Sequence, residues 1–391
     1  MTSERRFIPY SRQEVSAEDV AAVTAVLQSD FLTQGPVTPQ FEHAFAQRHG
    51  AAHALAVANA TAGLHMACLA FGVGPGSLVW TSPNSFLASA NCALYCGADI
   101  DFVDIDPATR NMGLAALAAK LEQAKQRGRL PDVVIPVDFA GLPCDLREMR
   151  ALADRYGFRI VEDASHATGA AYEGQPVGSR HADITVFSLH AVKIITAGEG
   201  GMLTTADAGI AERLRLLRSH GMVRDAGQFT GVEQGGWVYE QQLLGFNYRM
   251  TEIQAALGLS QLQRLDALQA RRQEMADRYD GLLADLPLIL PARVPQRTSA
   301  WHLYVVEIDG SRTPVARAEV FDRMRAAGIG VHVHYIPIHT QPFYRARGFS
   351  AGDVPLAERY YQRALTLPLH PGLTQDDQQY VVDSLRSALA G

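Results

Sequence analysis

The chain has 391 residues, 47% of them hydrophobic, and a formal net charge of −6 at pH 7. This length is enough for two or three domains with large cores, and the mixed charges offer no basic face for nucleic acid or anionic membranes. No apolar stretch reaches membrane-spanning length, the opening residues MTSERRFIPY contain no apolar run, and the sequence therefore predicts a cytoplasmic protein. Four cysteines lie in or beside apolar segments without a CxxC pair, which favours free thiols in a reducing compartment: Cys68, Cys92, Cys96 and Cys144.

Short apolar runs alternate with amphipathic stretches through the first two-thirds of the chain. The runs at 54–58, 100–105, 133–137, 159–162 and 184–187 predict strands. The stretches at 61–71, 85–96 and 145–156 predict helices, the last capped by Asp145 and stopped by Gly157. Strands interleaved with helices indicate a mostly parallel sheet covered on both faces. We expect residues 1–250 to form one large α/β domain.

The remaining residues predict a smaller unit. From 221 to 245 the sequence loses its periodicity and is rich in Gly, Gln and aromatic residues, which is typical of a functional loop or a disordered segment. A long helical pattern then runs from about 251 to 286. Strand patterns at 301–308 and 330–335 flank a helical one near 315–327. Residues 251–391 are therefore expected to form a small C-terminal α/β domain that includes the long connecting helix.

The stretch VFSLHAVKIITAGEGGM, residues 186–202, carries the first chemical signal. Lys193 follows the end of a predicted strand, and Gly198, Gly200 and Gly201 behind it let the backbone approach closely. An amine nucleophile held in a pocket has this pattern. The alternative is an exposed loop lysine, which is what most lysines are.

Two further segments follow predicted strands. In IVEDASHATG, residues 160–169, Asp163 and His166 lie three positions apart at a strand end, although a helix cap or turn explains an isolated aspartate equally well. In VANATAGL, residues 57–64, a helix opens at Ala60 and Thr61 directly after a strand. Free N–H groups at a helix start suit a phosphate, but Asn59 and Thr61 are also ordinary caps.

Together these segments match the needs of pyridoxal 5′-phosphate. Its phosphate needs donors, its ring nitrogen needs a carboxylate, and its aldehyde needs a lysine for a Schiff base. Lys193, Asp163 and the helix start at Ala60 follow different strands of one predicted sheet, whose ligands gather beyond the carboxyl ends. Phe86 is expected to be the aromatic plate against the ring, unless it is a plain core phenylalanine.

The order of motifs along the chain resembles the DegT/DnrJ/EryC1/StrS family of sugar aminotransferases. The resemblance covers essentially the whole chain and rests on NATAGL, SPNSFLASANCALYCGADIDFVDID, DFAGLPCDL, VEDASHATGA, FSLHAVKIITAGEGGM, RSHGM, GFNYRMTEIQAALGLSQL and VHVHYIPIH. It implies the fold of the fold type I, aspartate aminotransferase-like transferases. It also implies a homodimer whose active sites are shared between subunits.

The resemblance assigns roles to individual residues. It implies that Lys193 forms the Schiff base, that Asp163 pairs with the pyridine nitrogen and that His166 contacts the ring hydroxyl, where many relatives have glutamine. The phosphate contacts that it implies are Ala60, Thr61, Ser188 and, from the other subunit, Asn247.

Two departures from the family pattern leave the reacting groups in place. Many relatives have Gly-Thr where this chain has Ala60 and Thr61, and the common SFHPTK is here SLHAVK. Relatives that dehydrate sugars replace the lysine by histidine. Because Lys193 is present, the dehydratase branch is disfavoured.

For the substrates, the resemblance implies L-glutamate and a nucleotide-linked 4-keto-6-deoxy sugar. SANCALYCGADIDFVDIDP, EDASHATG, SLHAVK and VHYIPIH are most similar to the branch that aminates a UDP-linked N-acetylhexosamine in pseudaminic acid biosynthesis. The positions that match sugar-nucleotide contacts are Tyr10, Phe31, Leu32, Thr33, Gln34, Gly35, Arg249, His334 and Tyr335. Arg249 would pair with a diphosphate, with a surface salt bridge as its alternative.

Other interpretations are open but weaker. His332, His334 and His339 could bind zinc, but no cysteine or carboxylate completes the set, so we expect no metal. His190 is expected to be a hydrogen-bonded structural histidine. A DNA-binding regulator lacks support because there is no helix-turn-helix signal. A catalytically inactive structural partner is disfavoured by the presence of Lys193 and Asp163.

Overall fold

The computed structural model describes residues 7–231 and 235–390. Its strands are β1 Ile8–Pro9, β2 His53–Val57, β3 Leu78–Thr81, β4 Asp99–Phe102, β5 Val133–Ile135, β6 Arg159–Asp163, β7 Ala171–Tyr172, β8 Gln175–Pro176, β9 Ile184–Ser188, β10 Gly201–Thr205, β11 Met222–Val223, β12 Glu240–Gln241, β13 Leu288–Ile289, β14 Arg297–Thr298, β15 Tyr304–Ile308, β16 Ile329–Gly330 and β17 Ala364–Leu367. Its α-helices are α1 Ala17–Leu27, α2 Val37–His49, α3 Ala60–Ala70, α4 Ala88–Tyr95, α5 Leu114–Gln126, α6 Leu146–Tyr156, α7 Ala208–Arg218, α8 Glu252–Gln263, α9 Leu265–Leu283, α10 Arg317–Ala326, α11 Pro342–Arg345, α12 Pro355–Arg363 and α13 Gln375–Ala390.

A seven-stranded sheet in the order β2-β10-β9-β6-β5-β3-β4 forms the centre of the molecule. All its neighbouring strands are parallel except where β10 pairs with β2 and β9. Strands β2, β3, β5, β6 and β9 are almost entirely buried, as expected when helices cover both faces of a sheet. The predicted mostly parallel sheet is confirmed.

The local sequence explains where helix α6 begins and ends. Helix α6 stops at Gly157, which has a φ of 84°, a left-handed conformation that glycine adopts without a Cβ clash. Asp145 precedes this helix, but its side chain makes no cap hydrogen bond and pairs with Arg297 instead. Asp145 is the N-cap residue of α6, as predicted, although its side chain makes none of the cap hydrogen bonds.

Three expectations need correction. The long helix predicted from 251 to 286 is two helices, α8 and α9, which meet at Arg264. The strand predicted for 330–335 is reduced to β16, because the chain turns irregular after Gly330. Strand β10 lies inside the glycine-rich stretch, where no strand was predicted. Residues 232–234 of the irregular segment 221–245 lie outside the described residues.

A second core lies in the C-terminal part of the chain. It surrounds the antiparallel sheet β13-β15-β17 and draws apolar side chains from α9, α10 and α13. Ile8 belongs to it because β1 pairs with β16. Helix α8 instead contributes Ala255 and Leu262 to a core beside the large sheet. A domain boundary at residue 250 stays a prediction. Among the described helices, none has both the length and the apolar character needed to cross a membrane.

Candidate active site

The sheet register brings the predicted phosphate contacts to one edge. Gly201, the first residue of β10, pairs with Val57 at the end of β2 and with Ser188 at the end of β9. Helix α3 starts two residues after β2, at Ala60. Ser188 and the start of α3 therefore flank the same glycine.

The N-terminus of α3 presents N–H groups at this edge. The Asn59 side chain caps the helix by accepting a hydrogen bond from the Ala62 N–H at 2.8 Å. The N–H groups of Ala60 and Thr61 have no acceptor within the helix, so they are available to an anion. A Cβ on Gly201 would lie 2.7 Å from the Asn59 carbonyl carbon and 2.8 Å from the Ala60 nitrogen. Only glycine lets the helix start approach the sheet this closely.

Asp163 ends β6 and is held by two donors. Its Oδ2 accepts a hydrogen bond from the Ser89 hydroxyl at 2.6 Å, and its Oδ1 accepts one from the Ser165 N–H at 3.1 Å. The carboxylate is 4% exposed. A buried carboxylate with these donors and no paired cation in the described structure is suited to a positively charged ligand group. The carboxylate can accept the turn hydrogen bond from the Ser165 N–H and bind such a group at the same time.

Lys193 lies on the tight loop between β9 and β10. The loop is fixed by hydrogen bonds from the Lys193 N–H to the His190 carbonyl and from the Ser11 hydroxyl to the Val192 carbonyl, at 2.9 and 3.2 Å. Lys193 is half-buried, so it is not the exposed loop lysine of the alternative interpretation. Burial lowers its pKa to about 8, and the Asp163 carboxylate opposes this by raising it. A larger neutral fraction makes the amine a better nucleophile and base.

His166 has one defined tautomer. Its Nδ1 accepts a hydrogen bond from the Ala140 N–H at 3.2 Å, and its Nε2 lies 3.1 Å from the Tyr335 hydroxyl. Burial, followed by the Lys193 charge and His334, lowers its pKa well below the usual value, so the ring is neutral. A neutral ring that accepts at Nδ1 carries its hydrogen on Nε2 and donates it to Tyr335. The Tyr335 hydroxyl hydrogen is then free for a ligand.

His302 belongs to this cluster although sequence reasoning missed it. Its ring centre lies 4.5 Å from that of His166, and its Nδ1 is buried without a hydrogen-bond partner in the described structure. Burial lowers its pKa, and the Lys193 charge lowers it further. Its only sequence signal was a polar residue inside the apolar run 301–308.

Tyr10 and His334 pack together beside this cluster. Their ring centres are 5.5 Å apart, and His334 Nδ1 lies 2.8 Å from the Thr366 hydroxyl. Burial lowers the His334 pKa to about 3. His332 stacks on His334, but His339 bonds to Glu358 instead. The three histidines of the zinc alternative do not converge.

The other predicted residues are exposed or partly exposed. Phe86 is 61% exposed, which excludes a core position in this chain, and Asn247 is exposed. Arg249 forms a backbone bridge with Val57, and its buried Nε has no hydrogen-bond partner in the described structure. His190 is half-exposed, and its Nε2 lies 3.8 Å from a Glu199 carboxylate oxygen.

The segment Phe31–Thr33 is exposed but anchored. The Leu32 carbonyl accepts a hydrogen bond from the Glu252 N–H at 3.0 Å. The Glu252 carboxylate accepts the Val37 and Thr38 N–H groups at 2.7 and 3.2 Å. The contacts of the described residues do not connect Phe31, Leu32 or Thr33 with Lys193 or Asp163.

The sheet and the groups at its edge define a class of protein. A mostly parallel sheet with a lysine, a carboxylate and a helix N-terminus along one edge is the arrangement of a fold type I pyridoxal phosphate-dependent transferase. The DegT/DnrJ/EryC1/StrS aminotransferase family model matches residues 13–386, and the chain belongs to this family. It is a sugar aminotransferase whose cofactor is pyridoxal phosphate.

Individual relatives match over nearly their whole length. The spore coat polysaccharide biosynthesis protein SpsC of Bacillus subtilis is 39% identical over 388 residues, 98% of both chains. The aminotransferase PseC of Helicobacter pylori, involved in the biosynthesis of pseudoaminic acid, superimposes with a TM-score of 0.90 at 30% identity, covering 98% of this chain and 100% of its own. The pyridoxal phosphate form of the sugar aminotransferase Spr1654 from Streptococcus pneumoniae has a TM-score of 0.87 at 29% identity, covering 98% and 99%.

The residues present fit the cofactor. The close approach of α3 to Gly201 leaves first-turn N–H groups beside Ser188 for a phosphate, and the Asp163 carboxylate is held ready for a ring nitrogen. Lys193 has the lowered pKa that a Schiff-base amine requires.

Proposed function

We propose that this aminotransferase moves the amino group of L-glutamate to C4 of a UDP-linked 4-keto-6-deoxy-N-acetylhexosamine. The product is then UDP-4-amino-4,6-dideoxy-N-acetyl-β-L-altrosamine, an intermediate of pseudaminic acid biosynthesis. The observation that carries this proposal is the full-length similarity to PseC. It agrees with the motifs SLHAVK and VHYIPIH.

Lys193 is the proposed base in both half-reactions. Bound pyridoxal phosphate supplies an electron sink for the carbanion formed when a proton leaves the carbon next to nitrogen. The Lys193 amine takes the proton from Cα of glutamate and returns one to C4 of the sugar. Its pKa of about 8 keeps a useful fraction of the amine neutral near physiological pH.

The surrounding groups hold the reaction in place. Asp163 is proposed to keep the cofactor's ring nitrogen protonated, and His166 to contact the ring hydroxyl. Phe86 is proposed to stack on the ring. Proposed phosphate contacts are Ala60, Thr61, Ser188 and, from the other subunit of a homodimer, Asn247. Since one chain would lack the last contact, the proposed homodimer has a chemical reason.

A separate set of residues is proposed to bind the sugar nucleotide. His334 and Tyr335 lie beside His166, and the Tyr335 hydroxyl has a hydrogen available for a sugar oxygen. Arg249 is proposed to pair with the diphosphate, as its unpartnered Nε allows. The further proposed contacts are Tyr10, Phe31, Leu32 and Thr33. The substrates and the protein are proposed to meet in the cytoplasm.

The runner-up is another nucleotide 4-keto-6-deoxy sugar aminotransferase that differs in nucleotide, C2 substituent or C4 stereochemistry. The similarity to SpsC supports this second candidate function, because the name of SpsC refers to spore coat polysaccharide. Purified protein should be incubated with pyridoxal phosphate, L-glutamate and a panel of UDP-, dTDP- and GDP-4-keto-6-deoxy sugars. We expect NMR to show the L-altro 4-amino sugar from the UDP-N-acetyl substrate alone. A different amino sugar would establish the runner-up, and no amino sugar from any substrate would contradict both.

A further inference from the structure

The loop and helix that follow β3 contact the active site at several points. Phe86 is exposed on this segment, and the Asn84 Oδ1 accepts a hydrogen bond from the Tyr335 N–H at 3.3 Å. The Asn84 side chain also donates to the Arg110 carbonyl at 3.2 Å. Three residues after Phe86, Ser89 reaches Asp163. The proposed ring plate and the proposed partner of the ring nitrogen are thus connected through one short stretch of chain.

Each hydrogen bond of the Ser89 hydroxyl has only one possible donor. Its hydroxyl lies 2.6 Å from Asp163 Oδ2 and 2.6 Å from the Ser85 hydroxyl. A carboxylate can only accept, so Ser89 must donate its one hydrogen to Asp163, and Ser85 must donate to Ser89. Ser89 and Ser85 are 0% and 4% exposed, so no bulk water competes for these hydrogen bonds.

These contacts leave the carboxylate one orientation. Oδ2 is fixed by the Ser89 hydroxyl, and Oδ1 by the Ser165 N–H at 3.1 Å. Hydrogen bonds to an ionised carboxylate are short and strong, and the 2.6 Å distance is in their range. Ser89 lies in the first turn of α4, so its position is set by a helix and not by a mobile loop.

We propose that Ser89, oriented by Ser85, is a positioning residue that holds the Asp163 carboxylate for the ring nitrogen of pyridoxal phosphate. The inference rests on the role proposed for Asp163. It adds that the Asp163 carboxylate needs Ser89 to bind the cofactor tightly. Without Ser89 the carboxylate would be less ordered, and ordering it when the cofactor binds would reduce the affinity for the cofactor. Ser89 acts through Asp163 and does not itself touch the cofactor.

The test compares two cofactors that differ only at the ring nitrogen. Apo-protein is titrated with pyridoxal phosphate and with its 1-deaza analogue, which has a carbon–hydrogen group in place of that nitrogen. We expect Ser89→Ala to weaken pyridoxal phosphate binding about tenfold and to change binding of the analogue less than twofold. Ser85→Ala should give a smaller, equally selective loss, since Ser89 retains its own hydrogen.

Controls separate this role from a merely structural one. Ser89→Thr keeps the hydroxyl and should recover the preference for the natural cofactor. Ser179→Ala removes a hydroxyl that donates to the Pro176 carbonyl away from the site, and should change neither affinity. Equal losses for both cofactors in Ser89→Ala, or no loss for either, would overturn the proposal. If the wild-type protein binds both cofactors equally well, the role of Asp163 itself fails, whereas the sugar panel tests the substrate independently.

Discussion

At the scale of single residues, the chain offers an unusually clean probe of its proposed catalytic amine. The 391-residue sequence contains three lysines, at positions 120, 125 and 193. Lys193 is half-buried in the candidate site, and Lys125 is exposed on α5. A reagent that acylates neutral amines can therefore be followed at Lys193 and at an internal reference in the same sample.

The pH dependence of Lys193 acetylation follows from its surroundings. Burial lowers its pKa from 10.5 to about 8, so the rate should rise about tenfold per pH unit below pH 8 and become flat above it. The Asp163 carboxylate raises this pKa, so Asp163→Asn should move the midpoint to lower pH. Peptide mass spectrometry after a brief acetic anhydride pulse on apo-protein measures both. A midpoint near 10.5, or a shift to higher pH in Asp163→Asn, would contradict the assignment.

At the scale of elements, sequence patterns predicted the parallel strands β4, β5, β6 and β9, which are apolar or alternating runs bounded by turn residues. The short parallel strand β3, Leu78–Thr81, was not predicted. Strand β10 was not predicted because its first residue, Gly201, belongs to a run of glycines that resembles a loop. Its pairing partners are also distant in sequence. The break between α8 and α9 was not predicted because Arg264 is neither proline nor glycine, and the helical sequence pattern continues through it. The sequence singled out Asp163 and Lys193 because ligands of such sheets gather at strand ends. The contacts of Ser89 with Asp163 and of His302 with His166 arise only on folding, so sequence patterns could not indicate them.

Gly201→Ala tests how α3 and the sheet edge form the phosphate site. The new Cβ would lie under 3 Å from backbone atoms of Asn59 and Ala60, so the helix start must move away from Ser188. We expect about 1–3 kcal/mol lower stability and at least tenfold weaker pyridoxal phosphate binding. Denaturant unfolding and cofactor titration measure these effects.

Gly281→Ala is the matched control for this substitution. A Cβ at Gly281 in α9 meets nothing within 4 Å, and alanine favours a helix over glycine by about 1 kcal/mol. This variant should bind the cofactor normally and be slightly more stable. If Gly201→Ala also kept normal cofactor affinity, the α3 N-terminus would not be part of the phosphate site.

At the scale of the whole molecule, the segment that precedes Asn247 carries exposed apolar side chains, which would suit the proposed homodimer. Trp237, Tyr239 and Leu244 are 78%, 57% and 78% exposed, and they precede Asn247 on the same segment. Exposed apolar side chains grouped in this way are typical of interaction sites. The neighbours of Asn247 are anchored to the end of α7, through hydrogen bonds from the Phe246 N–H to the Leu217 carbonyl and from the Tyr248 N–H to the Arg218 carbonyl.

Mixing two variants, each expected to be inactive alone, tests whether active sites are shared. Lys193→Ala removes the amine from its own site, and Asn247→Ala removes the proposed phosphate contact from the partner's site. In a mixed dimer one site then has both groups and the other has neither. Because random mixing makes half of the dimers mixed, about a quarter of the wild-type activity should return after co-refolding. Lys193→Ala mixed with Asp163→Ala should recover no activity. Lys193 and Asp163 of one site come from the same subunit, so every site of a mixed dimer lacks one of these two groups. Equal recovery in both mixtures, or none in either, would contradict a site completed by Asn247 of a second subunit.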